Sequence, residues 1–383
     1  MRYGWLVLLG ALWGCTETTE LLTPVVPMSC QASVPPVHLG GTDDESCAAV
    51  QAAKVGRYAL CVCEDVATTG GLSVRGLSGS GEDAGSGTPG AVGVNENLTV
   101  GGPIEVPGVV RVAGILGLAG GHVAGNLHVR SAVGTSSPVV IGEDLFAGGD
   151  VKGPYSVGGT LRLPSIATIG AEVYAPRVVR ESVTVPDPCS CDVKPLFNIA
   201  AAVAARATQN ANDLLTFAGA FANEITTAQT FDWPCGEFHL SEIRTSPQAP
   251  LEFKIHGHVG IFVDGDVRLG NKLEVNLLDP SASLDLVVGG SFVTNGRLFG
   301  SPKTPRRMRL WVGEVTVSLP DEIQFGGIVY APRAAFTAGV GLLFSGSLFV
   351  STLAINGDIG LTYDPGVADE GQICGVAAPP LIQ

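Results

Sequence analysis

The chain has 383 residues, enough for two ordinary domains or one elongated one. Its 45% hydrophobic content excludes a disordered chain, and its 52 glycines follow no Gly-X-Y period, which excludes a collagen. A formal net charge of −14 excludes nucleic acid as a partner and direct adsorption to anionic lipid, because nothing offers a basic stripe.

Residues 1–15, MRYGWLVLLGALWGC, place Arg2 before an apolar core from Trp5 to Trp13. The run is too short to cross a bilayer as a helix and has the layout of an export signal. Leu12-Trp13-Gly14-Cys15 resembles the lipobox of bacterial lipoproteins, which implies that Cys15 receives a lipid and becomes the first mature residue. Trp13 departs from that pattern, which has a small residue there, and a secretory peptide cut elsewhere is the rival reading. Thr16, in place of Asp, resembles outer-membrane sorting. The expected location is the bacterial outer membrane, with the membrane itself as a partner through the lipid.

With Cys15 set aside, eight cysteines remain: Cys30, Cys47, Cys61, Cys63, Cys189, Cys191, Cys235 and Cys374. An even set in an exported chain implies disulfides. Sequence position suggests two groups of four, one near the N-terminus and one from Cys189 onward. Within each Cys-x-Cys the two residues sit too close to bridge, so each pairs elsewhere. A zinc site is disfavoured because there is no Cys-x-x-Cys and no His at finger spacing. No cofactor is expected. Residues 16–57 read as a Cys-containing linker and cap, with a short helix over Cys47 to Val55.

From about Tyr58 a seven-residue pattern recurs: apolar, any, Gly, small or polar, apolar, any, apolar. VAGNLHV (Val123 to Val129), IGEDLFA (Ile141 to Ala147, with Glu143 in the Gly position) and VGGTLRL (Val157 to Leu163) carry it in a first half, 58–190. VDGDVRL (Val263 to Leu269), VGGSFVT (Val288 to Thr294), FSGSLFV (Phe344 to Val350) and INGDIGL (Ile355 to Leu361) carry it in a second half, 235–375. Gly followed by a short polar residue is corner chemistry, and the flanking alternation buries one strand face. Strand and corner, repeated without helices between, point to an all-β chain folded as a right-handed parallel β-helix. Its spacing is too irregular for a strict hexapeptide helix. An antiparallel sandwich is the rival fold.

Tyr-Ala-Pro-Arg occurs twice, at Tyr174 to Arg177 and Tyr330 to Arg333. Pro176 and Pro332 cannot donate a ladder hydrogen bond, so both copies read as strand-end corners. Between the halves, 191–234 reads as a helical insertion. Its helix runs from about Lys194 to Thr208, capped by Asp192 with Pro195 in the first turn. The second half is expected to continue the first, ahead of a tail at 376–383. A capping element is expected at the solenoid ends.

GGIVYAPRAAFTAGVGLLFSGSLFVSTLAINGDIGLTYDP (Gly326 to Pro365) resembles the C-terminal β-helical domain of uncharacterised bacterial exported proteins, some associated with pilus assembly. Tyr330-Ala331-Pro332, Gly346-Ser347 and Tyr363-Asp364 carry the likeness. PCSCD (Pro188 to Asp192) and PCGEFHLSEI (Pro234 to Ile243) resemble lipoproteins of this type from social soil bacteria. The resemblance implies a β-helix in the cell envelope and no known reaction. Bactofilins are similar in their glycine-punctuated strands but share no specific motif.

Two clusters are candidate sites. In HGHVGIFVDGD, His256 with His258 and Asp264 with Asp266 alternate onto shared faces and offer an acid–base or metal set, although Asp264 and Asp266 also occupy ordinary corner positions. In SPKTPRRMR, Lys303, Arg306, Arg307 and Arg309 form a cationic loop for an anionic partner. The expected function is a cell-envelope rod with a structural or adhesive role, offering flat faces to glycans or envelope proteins and catalysing nothing. The alternatives are a polysaccharide-degrading enzyme, which needs a groove of convergent carboxylates, and a pilus or envelope assembly component. A flat face lined by glycine and threonine favours the rod.

Overall fold

The computed structural model describes residues 37–39, 47–77, 90–191, 198–313, 316–319 and 323–367. Cys15, Cys30, Cys374, Asp192 and Pro195 lie outside them.

Three residues make one side of the coil. In Leu98–Val100, Ile104–Val106 and Val110–Val112 the outer two are buried and the middle one faces out. Gly-rich pairs turn the corners between them. At Gly114 an added Cβ would lie 2.4 Å from the carbonyl oxygen of Glu96, so corners stack backbone on backbone with no room for a side chain. All strand pairs are parallel, in one sheet of 33 strands wound into a parallel β-solenoid.

The solenoid has three faces. Face A begins at Gln229–Trp233, face B at Gly236–Leu240 and face C at Ile243–Thr245. On face B the ladder climbs through thirteen strands and ends at Arg177–Arg180. At a strand spacing of about 4.8 Å the rod is about 60 Å long.

The two halves do join into one stack, but through the ends opposite to those the chain order suggests. Leu348-Phe349-Val350 pairs with Leu60-Cys61-Val62, and Leu353–Ile355 pairs with Val66–Thr68. Asp358–Tyr363 supports Leu72–Gly76. One level is therefore composite: face A comes from Asp358–Tyr363, and faces B and C come from Leu60–Val62 and Val66–Thr68. The join works because the coils match in circumference. Coils are wide where Phe231 stacks on Phe253 and Phe299 on Phe325. They tighten as Phe325 gives way to Phe344, and tighten again from Phe344 to Leu361. Beyond the join, Val92, Val110, Leu127, Leu145 and Leu161 stack in turn on coils as tight as those just before it.

Residues 181–191 and 198–228 belong to a return strap along the rod. Arg130 Nε donates to Val185 O at 2.8 Å, and Asn95 exchanges hydrogen bonds with Cys189 at 2.8 and 2.9 Å. Disulfides Cys61–Cys189 and Cys63–Cys191 fasten the strap to the composite coil. The bridges thus link the two Cys-x-Cys pairs to each other and cross the expected groups of four, because the strap carries 189–191 back beside 61–63. Cys47 and Cys235 are disulfide-bonded too.

The strap's helix, α2, is Ile199–Arg206. It is shorter than expected and is capped by Asn198, whose Oδ1 accepts from Ala201 N at 3.1 Å. The earlier helix, α1, spans Ala48–Val55 as expected. It sits at mid-rod, where its C-terminal Gly56 meets Val367 and Val55 borders Phe349, and it caps no end. No cap is needed there, since Leu60–Val62 is already paired on both sides. The helical insertion ends before residue 234, because Gln229–Trp233 is already a strand of the first level.

The Tyr-Ala-Pro-Arg copies differ. Tyr174 ends a strand of the last level and is 67% exposed. Tyr330 lies inside the strand Ile323–Ala338, buried between Trp311 and Phe349, with the corner absorbed as an irregularity between Ala331 and Ala335.

Candidate functional site

In the wide half, face B is roofed. Phe262, Val287, Trp311, Tyr330 and Phe349 follow one another in register on its outer side, and all are buried. Val37 covers Gly260, Ile199 of α2 covers Gly313, and Arg206 lies 5.3 Å over the Phe262 ring and pairs with Glu237. Beneath this roof Arg309 grips both oxygens of Asp285 at 2.7 Å, and Trp311 Nε1 donates to Asp285 at 2.9 Å. Arg309 also donates to Ser283 Oγ at 3.2 Å, and Ser283 Oγ lies 2.8 Å from His258 Nδ1. Burial and then the nearby guanidinium push His258 down to about 4, so it is neutral at pH 7. Such a network pins neighbouring levels in register and meets no substrate, because Asp285 and Ser283 are fully buried.

The expected histidine–aspartate cluster is not assembled. His256 Nε2 contacts Asp232 at 2.7 Å, His258 belongs to the buried network, and Asp264 contacts His239 Nε2 at 3.0 Å. Asp266 turns to Arg268 at 2.7 Å and accepts from Ser291 N at 2.8 Å, and the Ser291 bond first, then Arg268, holds its carboxyl below the usual range. Residues that alternate along a strand share a side, but here corners separate them. The cationic loop is also divided. Lys303 is exposed, Arg306 reaches Asp364 at 3.6 Å, Arg307 is half-buried in a helical turn, and Arg309 lies in the next strand, Met308–Val312, and is buried. Among the described residues no group of three or more His, Cys, Asp or Glu could hold a metal ion.

In the narrow half, face B is open. Its outward row reads Arg111, His128, Phe146, Arg162. The His128 and Phe146 rings stack at 4.3 Å and 6°, and the Arg162 guanidinium lies 5.5 Å from the Phe146 centroid. The ring faces are consumed by each other, so the row shows edges to solvent and offers a sugar no flat platform. Burial and then Arg111 push His128 down to about 4. Arg162 pairs with Glu181 at 2.8 Å and Asp144 at 3.5 Å. Beside this row, a cavity of about 320 Å³ is lined by Lys54, Arg57, Tyr58, Pro188, Ser190 and Phe349.

Face C is flat. Its outward residues run Ser318, Thr337, Ala354, Ala67, Thr99, Gly117, Gly134 over seven successive levels and across the join. That is about 29 Å of surface at the usual strand spacing. Arg244 and Arg268 flank it beyond Val293 at one end, and Lys152 ends it at the other. The two glycines are not demanded by the fold. Neither has a positive φ; a Cβ at Gly117 would meet nothing within 4 Å, and one at Gly134 only Leu116 O at 3.9 Å. Sequence reading missed this face, because its members come from coils of unequal length and align only once the reversed join is known.

These features define the class: a three-faced parallel β-solenoid whose face B is roofed in the wide half and open in the narrow half, and whose face C is flat. Residues 167–370 match the model of a domain of unknown function (DUF7305), more than half of the chain, and the chain belongs to that family. The matched span takes in the last narrow coils, the return strap and the wide half. No curated protein and no solved structure matches the chain. No helix among the described residues is long and apolar enough to cross a membrane.

Proposed function

We propose that the protein is a lipid-anchored rod of the bacterial cell envelope, tethered to the outer membrane at Cys15, with a structural or adhesive role. The observation that carries this reading is face C. A flat strip of small residues, ending in glycines the fold does not need, suits close approach by an extended, flat partner such as a glycan chain. The carboxylates nearest the former candidate cluster are tied to basic partners, Asp266 to Arg268 and Asp232 to His256, and do not converge on one groove. The resemblance of Gly326 to Pro365 to exported β-helical proteins is consistent with the same setting.

The test is a glycan-array screen of the chain from Thr16 onward, with release of reducing ends monitored alongside. Binding without release is the expected result. New reducing ends would overturn the reading in favour of a degrading enzyme. Gly117→Lys and Gly134→Lys should abolish the binding without lowering the melting temperature, since both side chains enter open space.

A further inference from the structure

The two ends of the rod are built differently. At the wide end the strap closes faces B and C and the core. Asn212 Nδ2 donates to His239 O at 2.6 Å, His239 N donates back to Asn212 Oδ1 at 2.9 Å, and Ala211 N donates to Glu237 O at 2.8 Å. Those bonds occupy the face B edge. On face C, Ile225 N donates to Arg244 O, and Ser246 N donates to Ile225 O, both at 2.9 Å. Phe217 and Phe221 close the core over Phe231 and Trp233 at centroid distances of 4.7 to 5.9 Å.

The narrow end has no such cover among the described residues. Arg177–Arg180 pairs only with the strand below it, Thr160–Leu163, and Val173–Tyr174 only with Tyr155–Val157. Glu181 N donates to Leu163 O at 3.0 Å, so the alternation of a parallel ladder turns the N–H and C=O of Val178 and Arg180 to the open side. Of the nine exposed large hydrophobic residues among the described ones, three gather here: Ile166, Tyr174 and Val178. An edge with free backbone groups and an apolar rim is a template for another strand.

We infer that this end pairs with the same end of a second copy, strand 177–181 against its two-fold mate in antiparallel register centred on Val179. In that register Val178 faces Arg180 of the other copy, so the backbone groups left over in one chain meet those left over in the other. Arg177 then faces Glu181 across the axis, which is complementary in charge. Glu181 already pairs with Arg162, so Arg177 extends an existing ion pair. Pairing Val178 with Val179 instead would set Arg177 against Arg180, like charge on like. The contact is isologous and closes at two copies. A head-to-tail continuation of face B is not available, because Ala211 and Asn212 occupy the face B edge of the wide end. The contact area is one coil's cross-section, below that of a standard interface, so the pair is weak, with Kd on the order of 10 μM.

Sedimentation velocity of the chain from Thr16 onward, over roughly 1 to 200 μM, tests this. A monomer–dimer equilibrium with an elongated dimer is expected. Val178→Pro removes an N–H that the monomer does not use, and should give monomer at all concentrations with the melting temperature kept. Arg177→Glu should weaken association at least about tenfold, and Arg177→Glu with Glu181→Arg should restore it. Monomer throughout in the unmodified chain, open-ended polymers, or a dimer untouched by Val178→Pro would each overturn the inference.

Discussion

The wide and narrow halves share one sheet yet solve the packing problem differently. The wide coils enclose more volume than side chains of Val and Leu fill, and there the core is built from Phe231, Trp233, Phe238, Phe253, Phe292, Phe299 and Phe325. The narrow coils close on Val, Leu and Ile, with Tyr155 as the lone aromatic of their fully buried core. Outside the sheet the contrast repeats. The wide half hides its outer aromatic row under α2 and the N-terminal segment, whereas the narrow half leaves Arg111, His128, Phe146 and Arg162 at the surface. Circumference decides which half needs a second layer, because a broad face cannot be covered by short strands alone.

The largest test of that contrast is the roofed ion pair. Arg309→Met should destabilise by about 3–5 kcal/mol in urea unfolding, because it strands the Asp285 carboxylate beneath the roof. The half-buried counterpart outside the roof, Arg111→Met, should cost under about 1 kcal/mol. Equal costs would mean that the roof does not exclude water. Core truncation comes next: Phe299→Ala should cost about 3–5 kcal/mol and Val133→Ala about 2 kcal/mol, by the same assay.

The acid response should also separate the halves. Unfolded His258 takes a proton near 6.5, while the folded chain resists until about 4. Between those values the unfolded chain binds more protons, so stability falls as pH drops from 6.5 and reaches its full loss of about 3 kcal/mol near pH 4. His258→Asn should flatten that slope in denaturation curves taken between pH 7 and 4. His128, less enclosed, should contribute a smaller share. The smallest effect is expected on face C, where Gly117→Thr should stabilise by about 0.5–1 kcal/mol, a gain seen as a raised melting temperature. A loss there would mean that the glycine serves the fold after all.

Strand and corner were legible in the chain because VAGNLHV and INGDIGL write the turn chemistry locally. The order of the halves was not, since LFV at Leu348 and LCV at Leu60 are ordinary apolar-any-apolar triplets, and nothing local marks them as partners. Arg309 was misread for a related reason. MRLWV alternates like any half-buried strand, and only the roof, made by residues more than a hundred positions away, turns its outward side into interior. Tyr-Ala-Pro-Arg shows the same limit, as its tyrosine lies buried at mid-rod in one copy and bare at the tip in the other. The Cys-x-Cys pairs were readable as bonded outside themselves, but their mates depended on the strap's path.

That path has a mechanical meaning. A stack of coils pulled along its axis separates by breaking ladder hydrogen bonds one level at a time, beginning at the weaker end. Here the strap leaves from the tip, is riveted at Cys61 and Cys63, and is seated at the far end by Asn212 and Phe217. It acts as a tie rod in parallel with the stack, so levels between its fixings cannot part until a covalent chain is drawn taut. Tension along the rod would therefore load the polypeptide backbone before it opened the join, where the two halves meet without a peptide bond between them.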